Sequence, residues 1–476
     1  MLTFKITECR QFIQLTDFTL NSERTSLFAY FKKKSKKGEF NVLVDRGIWD
    51  GKDPFITPDG KISIGLWREI YKFSSKYGYD CDIQDINSLL NNSISYTEYF
   101  TWVEDLLDGI VDEYGNPIIP RDYQLEGAYR ALKYRFCCQE LATSAGKTLN
   151  FYLYNSYLRD TGVITKDKKA LIIVPNISLI GQTAEKFEMY AKPGKEWKIH
   201  MIGGKNKFNE DKWNSSELII STYQSLQNLD FEIFKQVSVV CCDETHTTRG
   251  NVIREIVAAC KNWQFKLGLS GTIKISEEYS DFFKIQETVG PLVLILPAKH
   301  LIDNNYSPNI KIKVVELEYD REDEYLQKYW HLKKTGKDMY RDAKTYGKEM
   351  LAIEKAFIFN NQDRLEFISK LTNKLNKNTL ILFSDVKNGY GKKIQEELLK
   401  WNPNTFYIDG GIDSSDRDRF KYALENVSDI TELTFGDALI KVNQYTEIPL
   451  TNGLFKLAKD ITLDDDISNE WIEKYI

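Results

Sequence analysis

Continuous apolar runs and amphipathic stretches alternate through the middle of the chain. Each run has the length of one strand, and a run without alternation is typical of a parallel strand that is covered on both faces. The stretches between the runs show helical spacing, and the whole pattern predicts an α/β domain with a parallel sheet. The predicted strands are 170–175, 218–223, 237–246 and 265–272, and the predicted helices are 125–134, 148–158 and 179–190.

The two ends of the chain show weaker patterns. Near the N-terminus, β-like runs at 2–6 and 26–31 precede a helical pattern at 66–77, which indicates a small α+β domain. Near the C-terminus, a second α/β pattern has helices at 357–374 and 392–401 and strands at 379–384 and 405–409. We therefore divide the chain into an accessory domain (1–85), a linker with a helix at 96–107 (86–118), the parallel-sheet domain (119–295), a helical connection (296–356), a partial second α/β domain (357–427) and a divergent tail (428–476).

Composition narrows the class of protein. With 476 residues, 42% hydrophobic and 28% charged, the chain is long enough for several globular cores. A net charge of −5 argues against a basic coat for nucleic acid but leaves room for local basic grooves. Seven cysteines without a CxxC spacing and only four histidines argue against a zinc site and fit reduced thiols. The sequence has no run of eighteen apolar residues, so we expect a cytoplasmic protein without a membrane partner.

A loop of small residues carries the first chemical signal. It follows a predicted strand, precedes a predicted helix and ends in a Gly-Lys-Thr triplet. Small residues let backbone N–H groups wrap phosphates, a lysine meets the terminal phosphates, and a hydroxyl holds Mg²⁺. The N-terminus of the following helix adds its positive dipole end. The alternative is an exposed turn, because Leu141 stands where the usual pattern begins with glycine. The predicted phosphate contacts are Thr143, Ser144, Ala145, Gly146, Lys147 and Thr148.

An acidic pair supplies the second signal. Asp243 and Glu244 end an apolar strand downstream of the small-residue loop. Hydrolysis of a nucleoside triphosphate needs one acid to hold Mg²⁺, together with Thr148, and another to orient the attacking water. We assign Asp243 to the metal and Glu244 to the water. An Asp-Glu pair in an ordinary loop is common and does not indicate function. Here the pair lies at the end of a strand, downstream in sequence of a phosphate loop, and this position favours a catalytic role.

A third candidate lies in the accessory domain. Trp49 is surrounded by arginine, lysine and two turn glycines, and a lysine run occupies 32–37. An indole beside cations can grip a phosphate backbone or stack on a base. The alternative is a turn with a core tryptophan beside a solvated lysine run.

The order and spacing of the motifs resemble those of the superfamily 2 helicases and translocases, in particular phage recombination helicases, from about residue 40 to 427. The resemblance implies a RecA-like sheet domain, a partial second RecA-like domain, and ATP and Mg²⁺ as cofactors. It is carried by Trp49-Asp50-Gly51, residues 73–79, Tyr123-Gln124, residues 143–147, Val174-Pro175, Leu179, Gln182, Gly203-Gly204, residues 243–246, residues 268–271, Asp413 and Arg417.

The resemblance also implies roles for single residues. Gln124 would read adenine, with Arg121, Tyr123 and His246 completing the ATP site. Coupling of hydrolysis to movement would fall to Ser270, Gly271 and Thr272. A nucleic-acid strand would lie along Pro175, Gln182, Gly204 and Thr222.

The resemblance stops before the C-terminus. A second RecA-like domain of such motors supplies an arginine finger, and the sequence after Asn426 shows none. The tail from Thr434 resembles the opening strands of an intein, with threonine where a nucleophilic Cys or Ser is expected. The alternative is a truncated or split gene.

Two functions remain open at this stage. The first is an ATP-driven helicase or translocase acting on branched, single- or double-stranded DNA or on RNA–DNA hybrids, in the cytoplasm of the host cell if a phage encodes it. The second is an ATP- and DNA-binding subunit that hydrolyses little ATP until a second polypeptide completes the second RecA-like domain.

Overall fold

The structure is a computed structural model of the chain, and its N-terminal unit spans Met1–Pro308 while a second unit spans Asn309–Ile476. It describes all residues other than 8–10, 37, 39–41, 91, 274–278, 309–314, 319–323, 340–342, 376–378, 384–388, 403–404, 410–453 and 458–476. No helix among the described residues is long and apolar enough to cross a membrane.

The N-terminal unit opens with a small sheet in the order β5-β2-β1-β6 and a two-stranded ribbon of β3 and β4. Strand β1 pairs antiparallel with β2 and parallel with β6. The elements are β1 (Leu2–Ile6), β2 (Phe12–Phe18), α1 (Asn21–Tyr30), β3 (Lys32–Lys34), α2 (Val42–Asp45), β4 (Lys52–Pro54), β5 (Lys61–Ser63), a 3-10 turn (Ile64–Leu66), α3 (Trp67–Tyr77), β6 (Cys81–Gln84), α4 (Ile86–Leu90) and α5 (Tyr96–Leu107).

One prediction for this region is wrong. Residues 26–31 read as a strand, but most of them belong to helix α1. Leu27 and Phe31, four residues apart, are both fully buried, which is the spacing of one helical face. The Glu23 carboxylate accepts hydrogen bonds from the backbone N–H of Thr19 and of Leu20, and this contact caps the first turn. The helix cap therefore outweighs the β-propensity of the aromatic residues.

The centre of the N-terminal unit is a seven-stranded sheet in the order β13-β7-β12-β11-β8-β10-β9. All of its strand pairs are parallel, as the unbroken apolar runs predict. The elements are α6 (Asp122–Tyr134), β7 (Phe136–Leu141), α7 (Lys147–Asp160), β8 (Lys169–Val174), α8 (Ser178–Met189), β9 (Ile199–Ile202), α9 (Glu210–Ser215), β10 (Leu218–Thr222), α10 (Tyr223–Leu226), a 3-10 helix (Phe231–Gln236), β11 (Val237–Asp243), a 3-10 helix (Thr245–Arg249), α11 (Asn251–Ala259), β12 (Phe265–Ser270), α12 (Ser280–Val289), β13 (Leu292–Leu296) and α13 (Ala298–Asp303).

The small sheet and one face of the large sheet share a single hydrophobic core. Phe283 of α12 lies in edge or tilted contact with Tyr30, Phe31 and Phe55, at centroid distances of 5.2–6.5 Å. Gly65 packs so closely on α12 that an added Cβ would lie 2.0 Å from the Gln286 carbonyl oxygen. The accessory region is therefore built into the parallel-sheet domain through α12.

The second unit is mostly helical in its described part. Asn361 separates α15 from α16 because its side chain accepts a hydrogen bond from the Arg364 N–H and caps α16. Strands β14 and β15 pair antiparallel. The elements are β14 (Val315–Glu318), α14 (Glu324–Met339), α15 (Ala343–Asn360), α16 (Gln362–Lys374), α17 (Tyr390–Leu399) and β15 (Leu454–Leu457).

The two strands predicted for this unit do not form within its described residues, 379–383 and 405–409. Leu380 and Leu382 are 79% and 85% exposed, so the apolar run lacks the covered faces that make such a run a parallel strand. The two segments do meet, since Phe383 stacks on Tyr407 at 5.5 Å. Asp413, Arg417, Thr434 and the predicted absence of an arginine finger lie outside the described residues.

Candidate nucleotide-binding site

The small-residue loop joins the carboxyl end of β7 to the start of α7. Ser144 and Gly146 take positive φ angles of 69° and 77°, and Lys147 begins the helix. The Ala142 N–H donates to the Leu296 carbonyl (3.1 Å), which fixes the loop to the neighbouring strand β13. The exposed loop residues lie at the helix N-terminus, where backbone N–H groups and the positive dipole end are suited to an anion.

The Gln124 side chain connects this loop to the start of helix α6. Its Nε2 donates to the Ala145 carbonyl (2.9 Å), and its Oε1 accepts from the Arg121 N–H (2.8 Å). Glycine is favoured at position 146 by its positive φ angle, and an added Cβ there would lie 2.3 Å from the same Nε2 and displace the Gln124 amide. The Gln124 side chain is 5% exposed and binds the loop backbone. Its implied contact with adenine stays a prediction.

The acidic pair faces the loop from the end of β11. Glu244 takes a left-handed φ of 47°, and its N–H donates to the Asp243 carboxylate (2.9 Å). This turn places the Glu244 carboxylate in a short ion pair with the Lys147 ammonium, while Asp243 lies 3.9 Å from the same ammonium. The sheet thus brings together three side chains that the sequence assigns to catalysis.

A hydrogen-bond network extends from the acidic pair to the end of β12. The Ser270 hydroxyl donates to Glu244 Oε2 (2.9 Å) and lies 2.8 Å from His246 Nδ1. His246 Nδ1 is also 3.2 Å from Glu244 Oε2, and the Thr272 N–H donates to the Ser270 hydroxyl (3.3 Å). A movement of the Glu244 side chain would therefore change the hydrogen bonds of Ser270 and Thr272, the residues to which the resemblance gives a coupling role.

The electrostatics of the two acids differ. Burial raises the pKa of Asp243 above its ordinary value, and the nearby Lys147 only partly offsets this effect. Burial would also raise the pKa of Glu244, but the Lys147 ammonium and the Ser270 hydroxyl outweigh it and hold that pKa below its ordinary value. Glu244 is therefore a charged acceptor at neutral pH, whereas Asp243 lacks a close cation of its own.

The residues fit the requirements of Mg²⁺ beside a nucleotide. No three His, Cys, Asp or Glu side chains cluster as a metal site within the described residues, so an all-protein cage is not built there. Magnesium usually takes one or two protein oxygens and completes its shell with water and phosphate oxygens. Thr148, at the start of α7, and the desolvated carboxylate of Asp243 are oxygen donors of this kind.

The predicted nucleic-acid contacts fall in two places. Pro175 and Gly204 follow strands β8 and β9, Thr222 ends β10, and Gln182 is exposed on α8. These residues share the carboxyl edge of the sheet with the phosphate loop. Thr222 is 2% exposed, and its hydroxyl hydrogen-bonds with Ser225 (3.1 Å), so its side chain is not exposed to a nucleic-acid strand in this state.

Trp49 lies apart, in the accessory region, and is half-buried. Its indole N–H donates to the Lys52 carbonyl (2.9 Å), which closes the turn between them. Several lysines of the 32–37 run have partners within the protein: Lys32 pairs with Asp50 (3.3 Å), Lys36 with Asp281 (3.7 Å), and Lys33 lies over the rings of Tyr30 and Phe283. The geometry favours a structural role for these three lysines.

Sequence reasoning missed one aromatic residue near the site. Tyr306 follows α13, and the Arg121 guanidinium lies 4.1 Å from the centre of its ring. The segment carries no motif, so only the folding of α13 beside α6 reveals the contact.

Comparison with known proteins finds helicases among the proteins that this chain is similar to. The model for the Type III restriction enzyme, res subunit, matches residues 117–275. ATP-dependent DNA helicase uvsW of Enterobacteria phage T4 is 26% identical over 401 residues, which cover 83% of this chain and 73% of that protein. ATP-dependent DNA helicase Hel308 of Caldivirga maquilingensis is 31% identical over 153 residues, 30% of this chain and 19% of that protein.

A solved structure agrees at the level of the fold. The crystal structure of the UvsW helicase from bacteriophage T4 superposes with a TM-score of 0.53 at 24% identity, covering 62% of this chain and 99% of that one. The predicted RecA-like parallel-sheet fold is confirmed, and so is the predicted relationship to helicases. Residues 117–275 form a domain that matches the res-subunit family, and most of the chain is similar to an ATP-dependent DNA helicase.

Proposed function

We propose that this protein is an ATP- and Mg²⁺-dependent DNA helicase or translocase. The observation that carries the proposal is the network that joins the phosphate loop, the acidic pair and the end of β12 through Lys147, Glu244 and Ser270. The similarity to uvsW, a protein named as an ATP-dependent DNA helicase, supports DNA as the nucleic acid.

The ion pair between Lys147 and Glu244 defines a resting arrangement. The terminal phosphates of ATP carry more negative charge than one carboxylate, so we expect Lys147 to exchange Glu244 for the phosphates when ATP binds. Glu244 then accepts a proton from the attacking water, with Ser270 and His246 holding its other oxygen. Magnesium, held by Thr148 and Asp243, would neutralise charge that develops on the phosphates.

The nucleic acid would lie across the carboxyl edge of the sheet, along Pro175, Gln182 and Gly204. Pro175 and Gly204 follow β8 and β9, which flank β10 and end at the same edge of the sheet as the phosphate loop, and Gln182 lies in helix α8 after β8. Exposure of Gln182 and Gly204 is compatible with contacts to a sugar-phosphate backbone.

A steady-state ATPase assay on the 476-residue chain tests the proposal. We expect turnover that requires Mg²⁺ and increases with DNA, and that is lost in Lys147→Ala because the phosphates lose their cation. Single-stranded, duplex and forked DNA and an RNA–DNA hybrid, compared at one salt concentration, would define the substrate. Turnover that persists in Lys147→Ala would show that the site lies elsewhere. ATP and DNA binding without turnover would favour the subunit hypothesis, in which a second chain completes the motor.

A further inference from the structure

We infer that Tyr306 forms one face of the nucleobase site, with Arg121 forming the other. The inference rests on the proposed ATP site. Tyr306 is 39% exposed, although its ring lies against the Arg121 guanidinium. An exposed aromatic ring over a planar cation presents two flat surfaces of the kind on which nucleobases stack.

Arg121 is close to the phosphate loop. A single amide group connects them: Gln124 accepts from the Arg121 N–H and donates to the Ala145 carbonyl within the loop. When the phosphates of a nucleotide occupy the loop, the ribose separates the base from them, so the base lies about one ribose length beyond the loop. We therefore expect the base near Arg121.

The Arg121 side chain is held by Tyr123, whose ring also lies 6.2 Å from the Tyr306 ring. Its Nη1 donates to the Tyr123 hydroxyl (2.7 Å), and the Tyr123 ring meets His300 edge-on at 6.1 Å. These contacts fix the plane of the guanidinium before any ligand arrives. Preorganisation of this kind lowers the entropic cost of stacking.

Tyr306 has a fixed backbone and a movable ring. Its N–H donates to the Leu301 carbonyl (2.7 Å), and Leu301 is fully buried in α13. A base could enter only if the partly exposed ring turned about its Cα–Cβ bond, away from Arg121 and the Tyr123 ring, while the backbone stays anchored. In this state it covers the face of Arg121, and a base that enters would replace that contact by lying between the two side chains.

Calorimetric titration with two ligands tests the inference. Mg-ADP carries a base, whereas inorganic tripolyphosphate presents phosphates alone. Tyr306→Ala is expected to weaken ADP about tenfold, the scale of one base–aromatic stack, and to leave tripolyphosphate unchanged. Tyr306→Phe keeps the ring and should bind ADP like the parent. Tyr114→Ala, which removes an exposed tyrosine from the turn after α5, is the matched control.

The outcomes separate the alternatives. Equal weakening of both ligands by Tyr306→Ala would overturn the inference, because the residue would then support the loop as a whole. Unchanged or tighter ADP binding would also overturn it, since the ring would then be dispensable or an obstacle. A parent chain that binds neither ligand would refute the proposed ATP site itself, and the inference with it. Thermal unfolding of each variant confirms that the fold survives.

Discussion

At the scale of single residues, the site in this state contains an ion pair that ATP would have to displace in the proposed mechanism. Lys147 is neutralised by Glu244, and the pKa of Glu244 is low because of that pairing, despite partial burial. The lysine expected to bind phosphate and the acid expected to activate water thus inhibit each other until the nucleotide separates them.

Glu244→Gln tests this mutual inhibition. The amide keeps the shape but neither accepts a proton nor neutralises Lys147, so we expect hydrolysis to fall by at least about a hundredfold while ATP binds as tightly as in the parent, or tighter. Turnover and calorimetric affinity measured on the same preparation give both values. Ser270→Ala is the companion variant, for which we expect hydrolysis largely intact and strand separation impaired. Unchanged turnover in Glu244→Gln would place the base elsewhere.

A second residue-scale prediction concerns Lys266, a lysine inside strand β12. Its side chain is 8% exposed, its Nζ donates to the Thr288 carbonyl (3.2 Å), and burial lowers its pKa to about 8. The folded state therefore binds fewer protons than the unfolded state between about pH 8 and the ordinary lysine pKa. This lysine makes the free energy of unfolding rise with pH across that window, and its destabilising effect is greatest below it.

Lys266→Met removes the charge at similar volume. We expect it to raise the free energy of unfolding at pH 7 by at most about 3 kcal/mol, the equivalent of the pKa change, and by progressively less as pH rises from 8 to 10. Urea unfolding of both proteins at several pH values gives the difference. A constant difference across this range would show that Lys266 does not titrate there.

At the scale of elements, helix α12 is where the accessory region joins the RecA-like domain. Gly65 lies against its backbone, the Ser63 hydroxyl donates to the Glu287 carbonyl (3.0 Å), and Lys284 pairs with Asp53 (2.7 Å). The same helix follows the β12 end that carries Ser270. The contact is close enough that one methyl group should disturb it.

Gly65→Ala is expected to destabilise the protein by about 1–3 kcal/mol, because the Cβ would collide with the Gln286 carbonyl, a backbone atom that cannot turn aside. Gly181→Ala is the matched control: the glycine lies in helix α8 with nothing within 4 Å of the added Cβ, so the change should be neutral or stabilising. Chemical denaturation measures both. Equal stability of Gly65→Ala and parent would mean that the accessory region docks loosely.

The contrast between well-predicted and poorly predicted elements has a physical basis. The apolar runs at 170–175 and 218–223 are strands because helices cover both faces of the sheet, and the acidic pair lies at a strand end as its position indicates. The run at 379–383 has the same apolar character but lacks such cover. The local pattern of apolar residues does not show which other segments pack against a run. The Tyr306 contact and the docking of Gly65 are likewise invisible in the sequence, since each depends on segments far apart in the chain.

At the scale of the whole molecule, the accessory region offers one candidate DNA surface that its internal contacts leave available. Strands β3 and β4 pair antiparallel, and the register sets Lys34 opposite Lys52, both exposed. Like charges directly across a ribbon repel each other and destabilise it. A phosphate group near Lys34 and Lys52 would relieve their repulsion, and this relief would favour DNA binding. Trp49 lies on the turn that leads into β4.

The double variant Lys34→Gln/Lys52→Gln distinguishes a DNA contact from a structural ribbon. If both lysines meet phosphates, DNA affinity should fall and the slope of log affinity against log salt should flatten by about two, one for each lost contact, while thermal stability stays equal or rises. Lys5→Gln, which changes an exposed lysine of β1 away from the ribbon, is the control. Fluorescence anisotropy with labelled DNA at several salt concentrations measures the slope. An unchanged slope in the double variant, with Trp49→Ala also binding like the parent, would leave the accessory region as a structural support for α12.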